Sequence, residues 1–135
     1  MINHGLISKL KLRPSMNGAV ISASEDLTQI LSTSGAHLVT SLTGQFDWIM
    51  LFLRTTSDLE ALLPATLAAL KPTTLLWLAF PKGSSGMQTD LTRDRGWDTL
   101  KPTELKWINL VSINDEWSAF ALRHFRPGEE KKSFR

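Results

Sequence analysis

The chain alternates between runs that are apolar at consecutive positions and stretches with one apolar face. The runs at 46–53 (FDWIMLFL) and 73–80 (TTLLWLAF) are apolar on both sides, which is typical of strands that are covered on both faces. The run at 107–113 (WINLVSI) and the near-alternation at 117–125 predict two further strands. Because only three residues connect these two, we expect them to form an antiparallel hairpin.

Helices are predicted between the strands by capping residues and helical spacing. The segments 22–25 (SASE) and 57–60 (SDLE) have the form of capping boxes and are followed by leucines at helical spacing. Pro64 lies inside the second helix and should kink it or split it in two. A third helix is predicted over 89–100.

The N-terminal segments carry weaker patterns. Leu6, Ile7 and Leu10 fit one face of a helix, whereas 10–13 (LKLR) also fits a short strand, and both alternatives stay open. Asn17-Gly18 indicates a turn before a short strand at 19–21. The segment 37–40 is extended, and the gap before the strand at 46–53 is too short for a parallel crossover. We therefore expect an antiparallel edge piece or an extended link there.

This order of elements predicts an α/β fold: a Rossmann-like three-layer sandwich whose mostly parallel sheet ends in a C-terminal antiparallel hairpin. A length of 135 residues fits one domain. We expect this domain to span 1–125 and a solvated basic tail to follow over 126–135.

Composition and charge exclude several classes of function. The chain has no cysteine, which excludes disulfides, thiolate metal sites and thiol nucleophiles. The net charge is +2, yet residues 14–122 alone carry −4, which argues against a nucleic-acid partner. No apolar run approaches the roughly 20 residues of a membrane span, so we expect no membrane partner and a cytoplasmic protein.

The chain resembles two families. The order of elements over 46–125 resembles the second half of the class I S-adenosylmethionine-dependent methyltransferase fold. The segments 81–86 (PKGSSG), 89–97 (TDLTRDRGW) and 115–119 (DEWSA) resemble a family of small uncharacterised bacterial proteins, catalogued as a domain of unknown function. The second resemblance implies a fold and no activity.

The methyltransferase resemblance implies a glycine-rich turn after the first strand and an acid after the second. Here the first strand runs into 21–26 (ISASED), without glycine, and the second segment ends at 39–41 (VTS), without an acid. A Cβ on every residue of that turn would keep a ligand away. Glu25 and Asp26 also occupy the positive end of the helix dipole. We therefore expect no cofactor, and no S-adenosylmethionine.

The loop after the second long strand is the candidate ligand site. Its glycine amides, hydroxyls and one ammonium group could hold a small anion at the carboxyl edge of the sheet. The alternative is a plain connection between strand and helix. The candidate ligand-binding residues are Lys82, Gly83, Ser84, Ser85, Gly86, Thr89, Asp90 and Arg93.

Two other groups of residues have a functional and a structural interpretation. Asp90, Asp94 and Asp98 would line one helix face and could hold a cation, although a solvated charged face is the preferred explanation. The three histidines are far apart in sequence, and we predict no metal site. Trp97 and Trp117, with Asp115, form a candidate interaction surface for a protein partner or a homodimer. The alternative for Trp97 is packing on the sheet.

From the sequence, the leading hypothesis is a non-enzymatic binding module with a degenerate methyltransferase-like fold. One alternative is an enzyme, acting on a phosphorylated or carboxylated small molecule or using S-adenosylmethionine to transfer a methyl group. Another alternative is a homodimeric interaction subunit.

Overall fold

A computed structural model describes residues 4–86, 89–103 and 105–129, and it consists of one six-stranded sheet with helices on both faces. The strands are β1 (Asn17–Ile21), β2 (His37–Val39), β3 (Phe46–Phe52), β4 (Leu70–Pro81), β5 (Lys106–Ser112) and β6 (Trp117–Arg123). The helices are α1 (His4–Lys9), α2 (Glu25–Ser32) and α3 (Thr56–Ala68), with 3₁₀ turns at Gly83–Ser85 and Asp98–Thr103. The predicted tail is described as far as Glu129, and the rest of it lies outside the described residues.

The sheet order is β2-β1-β3-β4-β6-β5. The first four strands of this order are parallel, and β6 is antiparallel to both β4 and β5. The predicted three-layer α/β sandwich with a C-terminal hairpin is therefore confirmed. In the sheet, β2 lies on one side of β1 and β3 lies on its other side, so the strand order reverses direction at β1. In open α/β sheets, such a switch point is where ligands bind, beyond the carboxyl ends of the strands.

The prediction for 37–40 is wrong, because β2 is a parallel neighbour of β1, with Ala19 opposite Val39. The helix α2 connects β1 to β2 and makes their parallel pairing possible. The short gap between β2 and β3 is no obstacle, because these two strands are not neighbours in the sheet. The predicted turn at Asn17-Gly18 is also wrong, since both residues begin β1. A Cβ on Gly18 would lie 3.2 Å from the Trp48 carbonyl oxygen. Glycine there allows a close approach of β1 and β3.

Both helix starts lie two residues from their predicted positions. The N-cap of α2 is Ser24, whose hydroxyl accepts the Leu27 N–H at 3.2 Å. The N-cap of α3 is Thr55, which forms a reciprocal capping box with Asp58. Pro64 lies inside α3 without splitting it, and the N-terminal segment resolves into the helix α1.

The predicted helix at 89–100 is wrong, since residues 89–97 are irregular and only a 3₁₀ turn follows. The Thr89 hydroxyl accepts the Leu91 N–H at 2.9 Å, a local bond that competes with helix formation. Gly96 adopts a φ of +98°, which is outside the helical region.

The two faces of the sheet have separate cores. On one face α3 packs through Leu59 and Leu63, and on the other α1 and α2 pack through leucines. The Leu10 carbonyl oxygen, just after α1, accepts the indole N–H groups of both Trp48 (2.8 Å) and Trp77 (2.9 Å). This shared acceptor fastens the N-terminal segment to β3 and β4. None of the described helices is long and apolar enough to cross a membrane.

Candidate functional site

Five connections meet at the carboxyl edge of the parallel strands. Four of them follow β1, β2, β3 and β4, and the fifth is the turn between β5 and β6. This turn reaches the same edge because Pro81, the last residue of β4, lies opposite Trp117, the first residue of β6. The Lys82 N–H then donates to the Glu116 carbonyl at 2.8 Å. The fold thus places the hairpin turn beside the switch point.

The larger of two cavities at this edge has a volume of about 400 Å³. Ligand pockets typically have about 300–1,000 Å³. The charged residues that line the cavity are Asp26 in the first turn of α2, Arg54 after β3 and Glu116 in the hairpin turn. The remaining lining residues are Leu6, Ser22, Ala23, Ser24, Leu27, Ile30, Ile113, Asn114 and Trp117.

The smaller cavity has a volume of about 130 Å³ and shares Ser22 and Ala23 with the larger one. It lies between α2 and the carboxyl ends of β1 and β2. The other lining residues are mostly apolar: Val20, Thr28, Leu31, Leu38, Val39 and Thr40. The turn after β1 therefore borders a charged cavity and an apolar one.

Ser22, directly after β1, has a φ of +66°. This left-handed conformation is the one that glycine adopts most readily. The turn after β1 has no glycine, and Ser22 adopts the backbone conformation that a glycine would usually adopt. Ser22 and Ala23 both border cavities, so there is space beside this turn although each residue carries a Cβ.

Hydroxyl groups lie at the end of β2, where the methyltransferase resemblance implies an acid. Thr40 follows β2 and lines the smaller cavity. The hydroxyls of Ser41 and Thr43 are 2.9 Å apart and form a hydrogen bond. These groups can hydrogen-bond a ligand hydroxyl, although without the charge of a carboxylate.

The main chain of Arg54 is held on both sides. Its N–H donates to the Asp58 carboxylate at 2.9 Å, and its carbonyl oxygen accepts the Thr89 hydroxyl. The guanidinium carbon lies 5.5 Å from the centre of the Trp117 ring, within the range of a cation–π contact. The cation of the larger cavity is thus positioned by two elements and an aromatic face.

The predicted loop is present, with a 3₁₀ turn at Gly83–Ser85 and Gly86 at a φ of +80°. The hydroxyl of Ser85 is used internally, donating to the Lys82 carbonyl at 2.7 Å. Ser84 is exposed, and neither cavity is lined by this loop. The Lys82 ammonium donates to the Ser112 hydroxyl at 2.6 Å, so the structure directs it towards the hairpin. An anion cradle made by the loop itself stays a prediction.

The candidates after the loop are separated rather than arranged on one helix face. Asp90 accepts the main-chain N–H (2.8 Å) and the hydroxyl (2.6 Å) of Thr56, and these bonds lower its pKa. Asp98 pairs with Lys101 at 3.3 Å, and Arg93 is exposed in the irregular segment. The predicted carboxylate row is therefore wrong, since its helix is absent. The described part of the chain has no group of three metal-ligating side chains.

The tryptophans do not form the predicted exposed patch. Trp97 is 2% and Trp117 6% exposed. Trp97 packs edge-on against Phe80 at 5.5 Å, and Trp117 against Phe52 at 5.1 Å. The alternative for Trp97, packing on the sheet, is the one found. Asp115 is exposed in the hairpin turn.

Three residues at this edge escaped the sequence analysis. Arg54 directly follows the apolar run at 46–53, so its position at a strand end could have been noticed. Lys9 and Ser112 carry no such signal, because only the folded chain brings them together.

Comparison with known proteins finds relatives by structure alone. No protein-family model and no curated protein matches the chain. TrmK, the M1A22 tRNA methyltransferase of B. subtilis, superposes with a TM-score of 0.58 at 9% identity over 93% of this chain and 67% of its own. An S-adenosylmethionine-dependent methyltransferase from Clostridium acetobutylicum gives 0.53 at 9% identity over 87% of both chains. TrmN from Thermus thermophilus gives 0.56 at 11% identity over 90% of this chain, which spans 47% of TrmN.

These structures establish the methyltransferase-like fold and correct the functional expectation. The prediction of a non-enzymatic module without S-adenosylmethionine is wrong, because the fold is shared over most of the chain with S-adenosylmethionine-dependent methyltransferases. The methyltransferase alternative is the one that the comparisons favour. Membership of the uncharacterised bacterial family stays a prediction.

Proposed function

We propose that this chain is a methyltransferase domain that binds S-adenosylmethionine across the turn after β1. The observation that carries the proposal is the pair of cavities that meet at Ser22 and Ala23, at the switch point of the sheet. The structural relatives that are described as methyltransferases support it.

The chemistry of the two cavities fits the two ends of the cofactor. The apolar walls of the smaller cavity, among them Leu31 and Leu38, suit an adenine ring, and the Thr40 hydroxyl would serve the ribose. Asp26 and Glu116 in the larger cavity would hold an ammonium group, and Arg54 a carboxylate. An amino acid linked to a nucleoside needs this division into a charged and an apolar part.

When bound, the cofactor supplies a sulfonium whose methyl group passes to a nucleophile, leaving a thioether. The chain's own residues position the reactants. Asp58 holds the main chain of Arg54, and the Trp117 ring lies under its guanidinium, which reduces the side-chain freedom that binding would cost. Trp117 and Ile113 bring apolar surface to the larger cavity and exclude water from part of it.

The chain spans about half of TrmN. We therefore do not carry over a methyl acceptor from that protein. The cytoplasm stays the predicted compartment.

Calorimetric titration of the full chain with S-adenosylhomocysteine tests the proposal. We expect binding by the wild type, and at least a 100-fold loss in Ala23→Trp, because this side chain borders both cavities. The matched control is Ala61→Trp on the exposed surface of α3, with unchanged affinity. Absence of binding to the wild type, or equal affinity for a folded Ala23→Trp variant, would contradict the proposal.

A further inference from the structure

Two lysines from distant parts of the chain converge on Ser112, the last residue of β5. The Lys9 ammonium donates to the Ser112 carbonyl oxygen at 2.8 Å, and the Lys82 ammonium to the Ser112 hydroxyl at 2.6 Å. Lys9 ends α1, and Lys82 follows β4. Three elements therefore bring two positive charges to one residue.

This cluster lies beside the larger cavity. Ile113 and Asn114, the two residues after Ser112, line the cavity wall. Leu6, one helical turn before Lys9, lines it as well. A group held at Ser112 would therefore be close to the proposed methyl donor.

Among the described residues, neither of the two charges has a carboxylate partner. In the described part of the chain, no carboxylate oxygen lies within 4 Å of the ammonium of Lys9 or Lys82, whereas Lys71, Lys101 and Lys106 each have one. The Lys82 side chain is half-buried. Two like charges that share one neutral residue repel each other, and an anion between them would remove this repulsion.

We propose that Lys9, Lys82 and Ser112 form an oxyanion site that holds one phosphate or carboxylate group of the methyl acceptor. That the bound molecule is the acceptor rests on the proposed function; the site itself rests on the cluster. The ammonium groups have donors to spare, and the Ser112 hydroxyl can turn its proton towards an oxygen.

The cluster fits a single oxyanion better than a polyanion. Its two charges are confined to the reach of one residue, whereas nucleic acid needs a row of cations along an ordered surface. The body of the chain, residues 14–122, carries a net charge of −4. We therefore favour a small acidic molecule over nucleic acid.

NMR titration of the full chain with inorganic phosphate and, separately, with acetate tests the site, using the backbone amides of Ser112 and Ile113. We expect saturable shifts with at least one ion. Lys9→Gln and Lys82→Gln should each weaken the response about tenfold, since the hydrogen-bond donor loses its positive charge. Lys101→Gln, which removes an exposed lysine paired with Asp98, is the matched control and should respond as the wild type does.

Stronger binding of phosphate would identify a phosphorylated acceptor, and stronger binding of acetate a carboxylated one. Equal responses in a folded Lys82→Gln variant and the wild type would overturn the site. Tighter, lysine-dependent binding of a single-stranded oligonucleotide would also overturn it. If phosphate binds through both lysines while the wild type ignores S-adenosylhomocysteine, the oxyanion site stands and the methyltransferase proposal fails.

Discussion

Charged side chains at the two edges of the sheet have different kinds of hydrogen-bond partner. At the amino edge, Asp47 pairs with Lys71, and Glu129 with Arg123 and Lys106. Glu129 bonds Arg123 and Lys106, and this lowers its pKa. At the carboxyl edge, the ammonium groups of Lys9 and Lys82 bond to Ser112, which is uncharged.

We interpret this difference as a division of roles. The paired charges at the amino edge stabilise the fold, whereas the lysines at the carboxyl edge are available for a ligand. A paired carboxylate has its partner in the native state, so a ligand gains little from it. A cation held by a neutral oxygen keeps its full attraction for an anion. Together with the two cavities, this is why we place the proposed ligand site at the carboxyl edge.

The largest effect on stability is expected from replacing Trp117, at the carboxyl edge, and Trp107, near the amino edge. Trp117→Ala removes a buried ring from the wall of the larger cavity and should cost about 3 kcal/mol of unfolding free energy. It should also weaken S-adenosylhomocysteine binding, because the Arg54 side chain loses its support. Denaturant unfolding and calorimetry measure the two effects.

Trp107→Ala is the comparison variant. Trp107 packs against Phe120 at 4.7 Å, near the amino edge, and its loss should cost about 2 kcal/mol and leave ligand affinity unchanged. Equal losses of affinity in both variants would mean that the edges are not functionally distinct.

A smaller effect is expected from Asp47→Asn. The hydrogen bond from Lys71, and then that from the Asn17 N–H, lower the pKa of Asp47. Its stabilisation is therefore present above the unfolded pKa of about 3.9 and is lost as the pH falls through the folded pKa. At pH 7 the variant should lose about 1 kcal/mol, and its stability should fall less steeply than that of the wild type below about pH 4. Urea unfolding across pH 2–7 measures both.

Asp26→Asn, at the carboxyl edge, is the counterpart. We expect its stability at pH 7 to stay within about 0.5 kcal/mol of the wild type while S-adenosylhomocysteine binds more weakly. A stability loss as large as that of Asp47→Asn would argue that Asp26 serves the fold.

The smallest effect is expected from two serines at positive φ. Ser15, before β1, has a φ of +70°, and Ser22, after β1, has +66°. Replacing either by glycine removes backbone strain and also makes the unfolded chain more flexible, so stability should change by less than about 1 kcal/mol. Only Ser22→Gly should alter S-adenosylhomocysteine affinity, raising it as the Cβ is removed. A weaker affinity would show that the Ser22 side chain itself contacts the ligand.

Much of the sheet could be predicted because its central strands are apolar at consecutive positions. The runs containing Trp48 and Trp77 are β3 and β4, and the short link before Trp117 is a hairpin. The helix at 89–100 could not be excluded, since tertiary bonds from Thr89 and Asp90 hold that segment in another conformation.

The site was predicted less well, for two physical reasons. Lys82 was recognised from its position after a strand, but its partner Lys9 lies 73 positions earlier and is brought near only by folding. The backbone of the turn after β1 could not be predicted either, because the surrounding structure holds Ser22 in the conformation that glycine prefers.

The carbonyl oxygen of Leu10 links two indole rings to the helix α1, which borders the larger cavity. Because both Trp48 and Trp77 are fully buried, water reaching them when α1 lifts away would shift their fluorescence to longer wavelength. The protein thus carries an intrinsic optical reporter of whether its N-terminal helix is docked, and no dye need be attached to follow that motion.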